Sequence, residues 1–275
     1  MLVRHIALVA DRLAPNESEV AADLAPVAAA MQVQIARDFT PLWNVQATIS
    51  AFASLEDVPL GHWPIIIRDR IDKKDDLGFH LDKHNQPYAL VKATPDWTVT
   101  VSHEMLEMLA DPFGNRLVPG PSLDPRHAND RVSYLVEVCD PCEDGAFTYT
   151  INGVVVSDFI TPHFHDPEST AGARYSFTGA VTKPREILKN GYISWEDPVQ
   201  GEWFQLQNFD APKIVRLGRI QNARSLREHV NGKTPVPGTY FDPQSEPIQA
   251  AAGKRAGAIR ASKAKAAGLR ELFAG

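Results

Sequence analysis

The amino-acid sequence predicts an α+β fold: an N-terminal helix and a mixed sheet over a second helix, followed by a β-rich half. Three features carry this. Val20, Leu24, Val27, Met31 and Ile35 recur at helical spacing. Short strand-like runs follow, then a second apolar stripe of Trp97, Val101, Met105 and Met108. From Tyr134 onward the texture is that of strands and turns, with Asn152-Gly153 a hairpin signal.

In chain order, "NESEVAADLAPVAAAMQVQIARDF" reads as a helix of about five turns. Asn16 or Ser18 is placed to cap it, and Pro26 predicts a kink or a break. "NVQATISAF" alternates, "WPIIIRDR" is an apolar run, and "PYALVKA" resumes after the polar turn "DKHNQ"; all three read as strands. The second helix starts near Asp96 as N-cap and stops at Asp111-Pro112, because proline disfavours helical geometry in the residue before it. Its first turn, Thr98 to Val101, is β-branched enough to read as a strand, but the stripe stays in helical register through both halves. Residues 113–133 are rich in Pro, Gly, Asn and Asp and read as a long loop. "YLVEVCD", "FTYTINGVVVSDFI", "RYSFTGAV" and "GYISWEDPVQGEWFQLQN" supply further strands and turns. The organisation expected is an N-terminal half over 1–112, a β-rich half over 113–230, a linker over 231–250 and a basic, Ala-rich helical tail over 251–275.

At 275 residues, with 44% hydrophobic and 23% charged residues, the chain can bury a substantial core. Residues 251–275 hold six Lys/Arg and one Glu, so the first 250 residues carry −11 of a total of −6. That acidic body argues against a nucleic-acid partner. The tail reads first as a disordered or lightly docked solubilising segment; the sharper reading is an arm that docks on the acidic body, on another subunit, as in a particle, or on a polyanion such as nucleic acid. No apolar run resembles a signal peptide or a membrane span, which makes a cytoplasmic location the expectation. Two cysteines, Cys139 and Cys142, cannot build a disulfide framework.

The chemistry centres on "SHEMLEMLADP". One helical turn separates His103 from Glu107, so both can reach one ion, while Glu104 beside them can contact a water on that ion. Asp111, a turn further on, is placed to steady a ligand side chain. A third ligand must come from elsewhere, and "LVEVCDPCEDG" offers Glu137, Asp140 and Glu143. Glu137 stands in an apolar run, where a carboxylate needs a metal or an arginine as partner.

"TVTVSHEMLEMLADP" followed by "EVCD" resembles the zincin-like metallopeptidases, in particular a group with His-Glu-x-x-Glu, a nearby Asp-Pro and a downstream Glu-x-x-Asp. The pattern is similar to that of the EXORDIUM-like, phosphate-responsive proteins. The resemblance extends from Trp63 to Tyr192 and leaves out the tail. It implies a zincin-like fold, with His103, Glu107 and Glu137 as metal ligands, Glu104 as general base, and Asp140 as an alternative ligand or a partner of one. The function it implies is a metal-dependent hydrolase, foremost a peptidase acting on peptide or protein substrates. The alternative is a non-catalytic, metal-stabilised structural or assembly protein, such as a particle component with a docking tail. Zinc is the first candidate metal. A His-Glu-Glu set cancels the charge of a divalent ion, so bound water is less acidified, and Mn²⁺, Mg²⁺ or Ca²⁺ become competitive.

The remaining candidates have plainer readings. A lone Cys-x-x-Cys reads as two structural cysteines. His163 and His165 share a face if "PHFHDP" is extended, and His80 reads as a turn or strand-end residue.

Overall fold

The computed structural model describes residues 2–11, 13, 18–71 and 77–235. Asn16, most of the expected linker and the whole basic tail lie outside the described residues.

Two five-stranded sheets are built one after the other along the chain. The first comprises β1 (Val3–Ala10), β2 (Gln46–Phe52), β3 (Trp63–Arg68), β4 (Gly78–Lys83) and β5 (Gln86–Lys92), in the order β2-β1-β3-β5-β4. The β1/β2, β1/β3 and β3/β5 pairs are parallel, and β4 returns antiparallel along β5 as an edge strand. His84 and Asn85 join β4 to β5 with φ of 55° and 61°, the left-handed pair that a two-residue hairpin turn demands.

Between β1 and β2 runs a long helical segment. It consists of α1 (Ser18–Val33), a π-helical stretch (Gln34–Phe39) and α2 (Thr40–Trp43). The expected stripe of Val20, Leu24, Val27, Met31 and Ile35 is buried, and Pro26 lies inside α1 without ending it. The second expected helix is α3 (Trp97–Ala110), with Asp96 at the N-cap position although its side chain caps nothing.

The sheet has two unlike faces because side chains alternate along each strand. Ile6, Leu8, Ile65, Ile67, Ala89 and Val91 pack with α1 and α3 in the main core. Ile66, Phe79 and Leu90 form a small cluster with the opposite parity. His80 stands opposite Ala89 in the β4/β5 register, so it faces α3.

The second sheet has the order β12-β11-β10-β7-β6. Its strands are β6 (Leu117–Pro121), β7 (Arg131–Leu135), β10 (Tyr192–Asp197), β11 (Glu202–Gln207) and β12 (Lys213–Gly218). Between them lies the hairpin of β8 (Tyr149–Ile151) and β9 (Val154–Val156), turning at Asn152 (φ 50°) and Gly153 (φ 83°) as its sequence predicts. A short helix, α4 (Leu226–Asn231), follows the last strand. One apolar cluster runs from Ile6 and Leu8 through Met105 and Leu109 to Tyr134 and Trp195, joining both sheets. Among the described residues no helix is long and apolar enough to cross a membrane.

Three expectations are corrected. "RYSFTGAV" forms no strand; only Ser176 bridges to Ile160. Asp158 satisfies this segment instead, accepting from the Thr178 N–H at 2.9 Å and the Thr178 hydroxyl at 2.6 Å. The long loop over 113–133 contains β6 and the start of β7. "YLVEVCD" is strand only through Leu135, after which the chain leaves the sheet for a 3₁₀ turn at Asp140–Cys142.

Candidate metal centre

The helix that carries the motif is enclosed on all sides: every residue of α3 from Trp97 to Ala110 is buried. Its apolar stripe meets the core, and its polar face meets the segment after β7 rather than water. Two sets of hydrogen bonds fix this docking. Ser102 Oγ donates to Gln34 Oε1 at 2.8 Å and accepts from the Ser157 N–H at 3.0 Å, while Gln34 Nε2 donates to the Ser157 carbonyl at 3.1 Å. The Cys139 N–H donates to Glu107 Oε1 at 3.1 Å. The first set ties α3 to the π-helical stretch and the second ties it to the Asp140 turn.

His103 and Glu107 do share one face, as the spacing predicts. His103 Nε2 lies 3.4 Å from Glu107 Oε2 and 3.2 Å from Asp140 Oδ1. His103, Asp140 and Glu143 present ligand atoms within 4.8 Å of one another. Glu143 is 1% exposed, and neither of its carboxylate oxygens has a hydrogen-bond partner among the described residues. A second group, His80, Glu107 and Glu137, meets the same distance criterion. Here Glu137 Oε2 accepts from Arg227 Nη2, so the arginine partner that its apolar surroundings call for is present. Glu104 turns toward β4, with its Oε2 3.1 Å from His80 Nδ1.

The titration behaviour follows from this crowding. Burial alone would lower His103, yet Glu107, Asp140 and Glu104 around it hold its pKa well above the usual histidine value. Burial would raise Glu107, but His103 and Arg227 hold it below the usual carboxylate range. Burial pushes Glu104 up to about 8 and Asp140 up to about 6, and it raises Glu137 and Glu143 as well. Glu107 thus gives up its proton more readily than a free carboxyl, and its buried carboxyl neighbours give theirs up less readily. A divalent ion at His103 Nε2 would take the place of the ring proton and draw the carboxyl groups toward ionisation.

The donor set fits such an ion. One imidazole and two or three carboxylates suit Zn²⁺ or Mn²⁺, with Mg²⁺ and Ca²⁺ the more oxygen-seeking choices. The unpartnered Glu143 carboxylate is the observation on which that fit rests, because a buried carboxylate without a partner is expensive.

His80 and Arg227 were not anticipated as contributors, and Glu143 was one of three carboxylates offered for the third ligand. His80 is buried mid-strand instead of ending a turn, and the alternation of Phe79 and Leu81 around it is the available signal. Glu143 stands three residues beyond Asp140, on one 3₁₀ turn, which brings both side chains to the same place. Arg227 arrives on α4, whose start is marked by Ser225 with Glu228 three residues on; Ser225 Oγ accepts from the Glu228 N–H at 3.1 Å.

The other candidates stand outside the two ligand groups. Cys139 and Cys142 are free and buried, and burial raises both thiols, so they are protonated structural residues. His163 and His165 lie on a 3₁₀ turn (Pro162–His165) and do not share a face. His163 is exposed against Asp166, and His165 packs between Tyr134 and Phe164. Asp111 accepts from the Arg116 N–H at 2.7 Å.

The Asp140 turn is held from behind by Gly191, where an added Cβ would come within 2.6 Å of the Pro141 carbonyl and 2.8 Å of the Asp140 carbonyl. Neither backbone atom can yield without moving Asp140. A divalent ion held by His103, Asp140 and Glu143 would bind about tenfold more weakly to Gly191→Ala, through displacement of Asp140, a loss of about 1.4 kcal/mol. Isothermal titration of both proteins reads it, and equal affinities would contradict the tight packing.

Comparison with protein-family models, with curated proteins and with solved structures finds no match.

Proposed function

We propose that the chain binds a divalent ion through His103, Asp140 and Glu143, with Glu107 alongside, and works as a metal-dependent hydrolase, foremost a zinc peptidase. The single observation that carries this is the buried Glu143 carboxylate, unpartnered beside His103 and Asp140. Bound there, the ion supplies Lewis-acid polarisation of a scissile carbonyl.

The chain's own residues supply the rest. Glu104, raised to about 8 by burial, exchanges a proton near neutral pH, which suits a general base and acid. Its Oε2 lies 3.1 Å from His80 Nδ1 on the facing strand. Because β4 is the edge of its sheet, an extended peptide could add beside it through backbone hydrogen bonds. The mixed sheet over α3, with one antiparallel edge strand, supports the zincin-like reading.

Burial favours a second reading. His103, Glu104, Glu107, Asp140 and Glu143 are each no more than 7% exposed, which suits an ion held for stability in a structural or assembly protein.

Elemental analysis and a peptide-library cleavage assay on wild type and Glu104→Gln separate these. The hydrolase reading expects metal in both proteins and a cleavage rate about 10²- to 10⁴-fold lower in the variant. Metal in both, no cleavage by either and a metal-dependent melting temperature would favour the structural reading. Absence of metal from the wild type, even after reconstitution, ends both.

A further inference from the structure

The second buried group, His80, Glu107 and Glu137, has the donor set of a metal site: one imidazole and two carboxylates within 4.8 Å. It already holds a cation. The Arg227 guanidinium places Nη2 on Glu137 Oε2 and Nη1 on His80 Nδ1, and Nη1 lies 3.5 Å from Glu107 Oε2. One carboxylate oxygen faces both groups, since Glu107 Oε2 is 3.4 Å from His103 Nε2 and 3.7 Å from His80 Nδ1. A carboxylate shared between two ligand sets is the arrangement of two-ion centres.

We infer that Arg227 is a built-in cation occupying the second half of a two-ion acidic centre, so that the chain takes one divalent ion where its ligands provide for two. The inference rests on the metal reading above. Several features show that Arg227 is seated by design of the fold. Its side chain is 1% exposed. Its N–H donates to the Gly114 carbonyl at 3.0 Å, and the Leu226 N–H donates to Asn115 Oδ1 at 3.0 Å, which pins α4 to the turn after α3. Gly114 has φ +62°, and a Cβ there would stand 2.7 Å from the Arg227 Cβ. Ligand capacity is also left over, because Glu137 Oε1 and His80 Nε2 have no hydrogen-bond partner among the described residues. A guanidinium never gives up its charge in a protein, so the second half-site is filled at every pH.

Ion counting by native mass spectrometry, after reconstitution of the full chain with Mn²⁺, tests this. Wild type should hold one ion and Arg227→Met two, and Glu137→Gln added to Arg227→Met should return the count to one. One ion in both wild type and Arg227→Met overturns the inference while leaving the metal reading intact; two in the wild type overturn it as well. None in the wild type fells the metal reading and the inference with it. Should Arg227→Met not fold, electron paramagnetic resonance of Mn²⁺-saturated wild type still decides. An isolated-spin spectrum supports the inference, and a spin-coupled pair overturns it.

Discussion

Replacing Glu107 with alanine is expected to remove about 3–5 kcal/mol of stability from chelator-treated protein, the range for stripping one partner from a buried ion pair. Crowding by carboxylates would suggest the opposite sign, because Glu104, Glu137, Asp140 and Glu143 surround the same space. The direction of the pKa shifts decides between the two. Those four are raised and hold protons more tightly than usual, whereas Glu107 alone is lowered. Glu107 therefore faces both cations of the centre, sharing His103 with Asp140 and Arg227 with Glu137. Its loss also strands the Cys139 N–H. Glu107→Gln keeps an acceptor for that N–H and isolates the charge, so it should lose less than Glu107→Ala. Urea unfolding reads both through the midpoint at constant slope. A loss below about 1 kcal/mol for Glu107→Ala, the range of an exposed pair, would show that the charge balance lies elsewhere.

Much of this site was legible in the sequence, and the limits have physical causes. The spacing of His103 and Glu107 follows from helix geometry alone, and the apolar stripe of α3 announced that helix against a β-branched first turn. Glu137 in an apolar run called for a partner. Sequence periodicity cannot say which one arrives, because Arg227 comes from 90 residues away on a six-residue helix. His80 was obscured because β4 is a short edge strand that starts at Gly78 and ends in Asp82 and Lys83, which leaves only Phe79 and Leu81 to show its alternation. The β6 strand was hidden by Pro119, Gly120 and Pro121, residues that break central strands but are tolerated at the edge it occupies. In "RYSFTGAV" the alternation was present, yet one buried carboxylate, Asp158, captured the backbone that a neighbouring strand would have paired.

Between pH 6.5 and pH 4, His165 is expected to withdraw about 3 kcal/mol of stability from the protein. Burial lowers its pKa to about 4, Arg185 and Arg116 lower it further, and Asp166 opposes them weakly. The unfolded chain therefore binds a proton near pH 6.5 that the folded chain refuses until about pH 4. More protons on the unfolded state mean that stability rises with pH, so the contribution is intact above pH 6.5, falls through the window and levels off below pH 4. The raised carboxyls Glu104 and Asp140 tilt the opposite way over overlapping pH, at about 8 and about 6. The wild-type profile alone mixes the two, and a difference between proteins separates them. Neither ring nitrogen of His165 has a hydrogen-bond partner among the described residues, and its neighbours include the Tyr134 and Phe164 rings. His165→Phe therefore removes the titration without orphaning a donor. Urea unfolding should find the two proteins close at pH 8 and the variant more stable by about 3 kcal/mol at pH 4. A gap that does not widen as the pH falls would mean that His165 accepts its proton in the folded state as readily as in the unfolded one, through an opening of the packing around Tyr134.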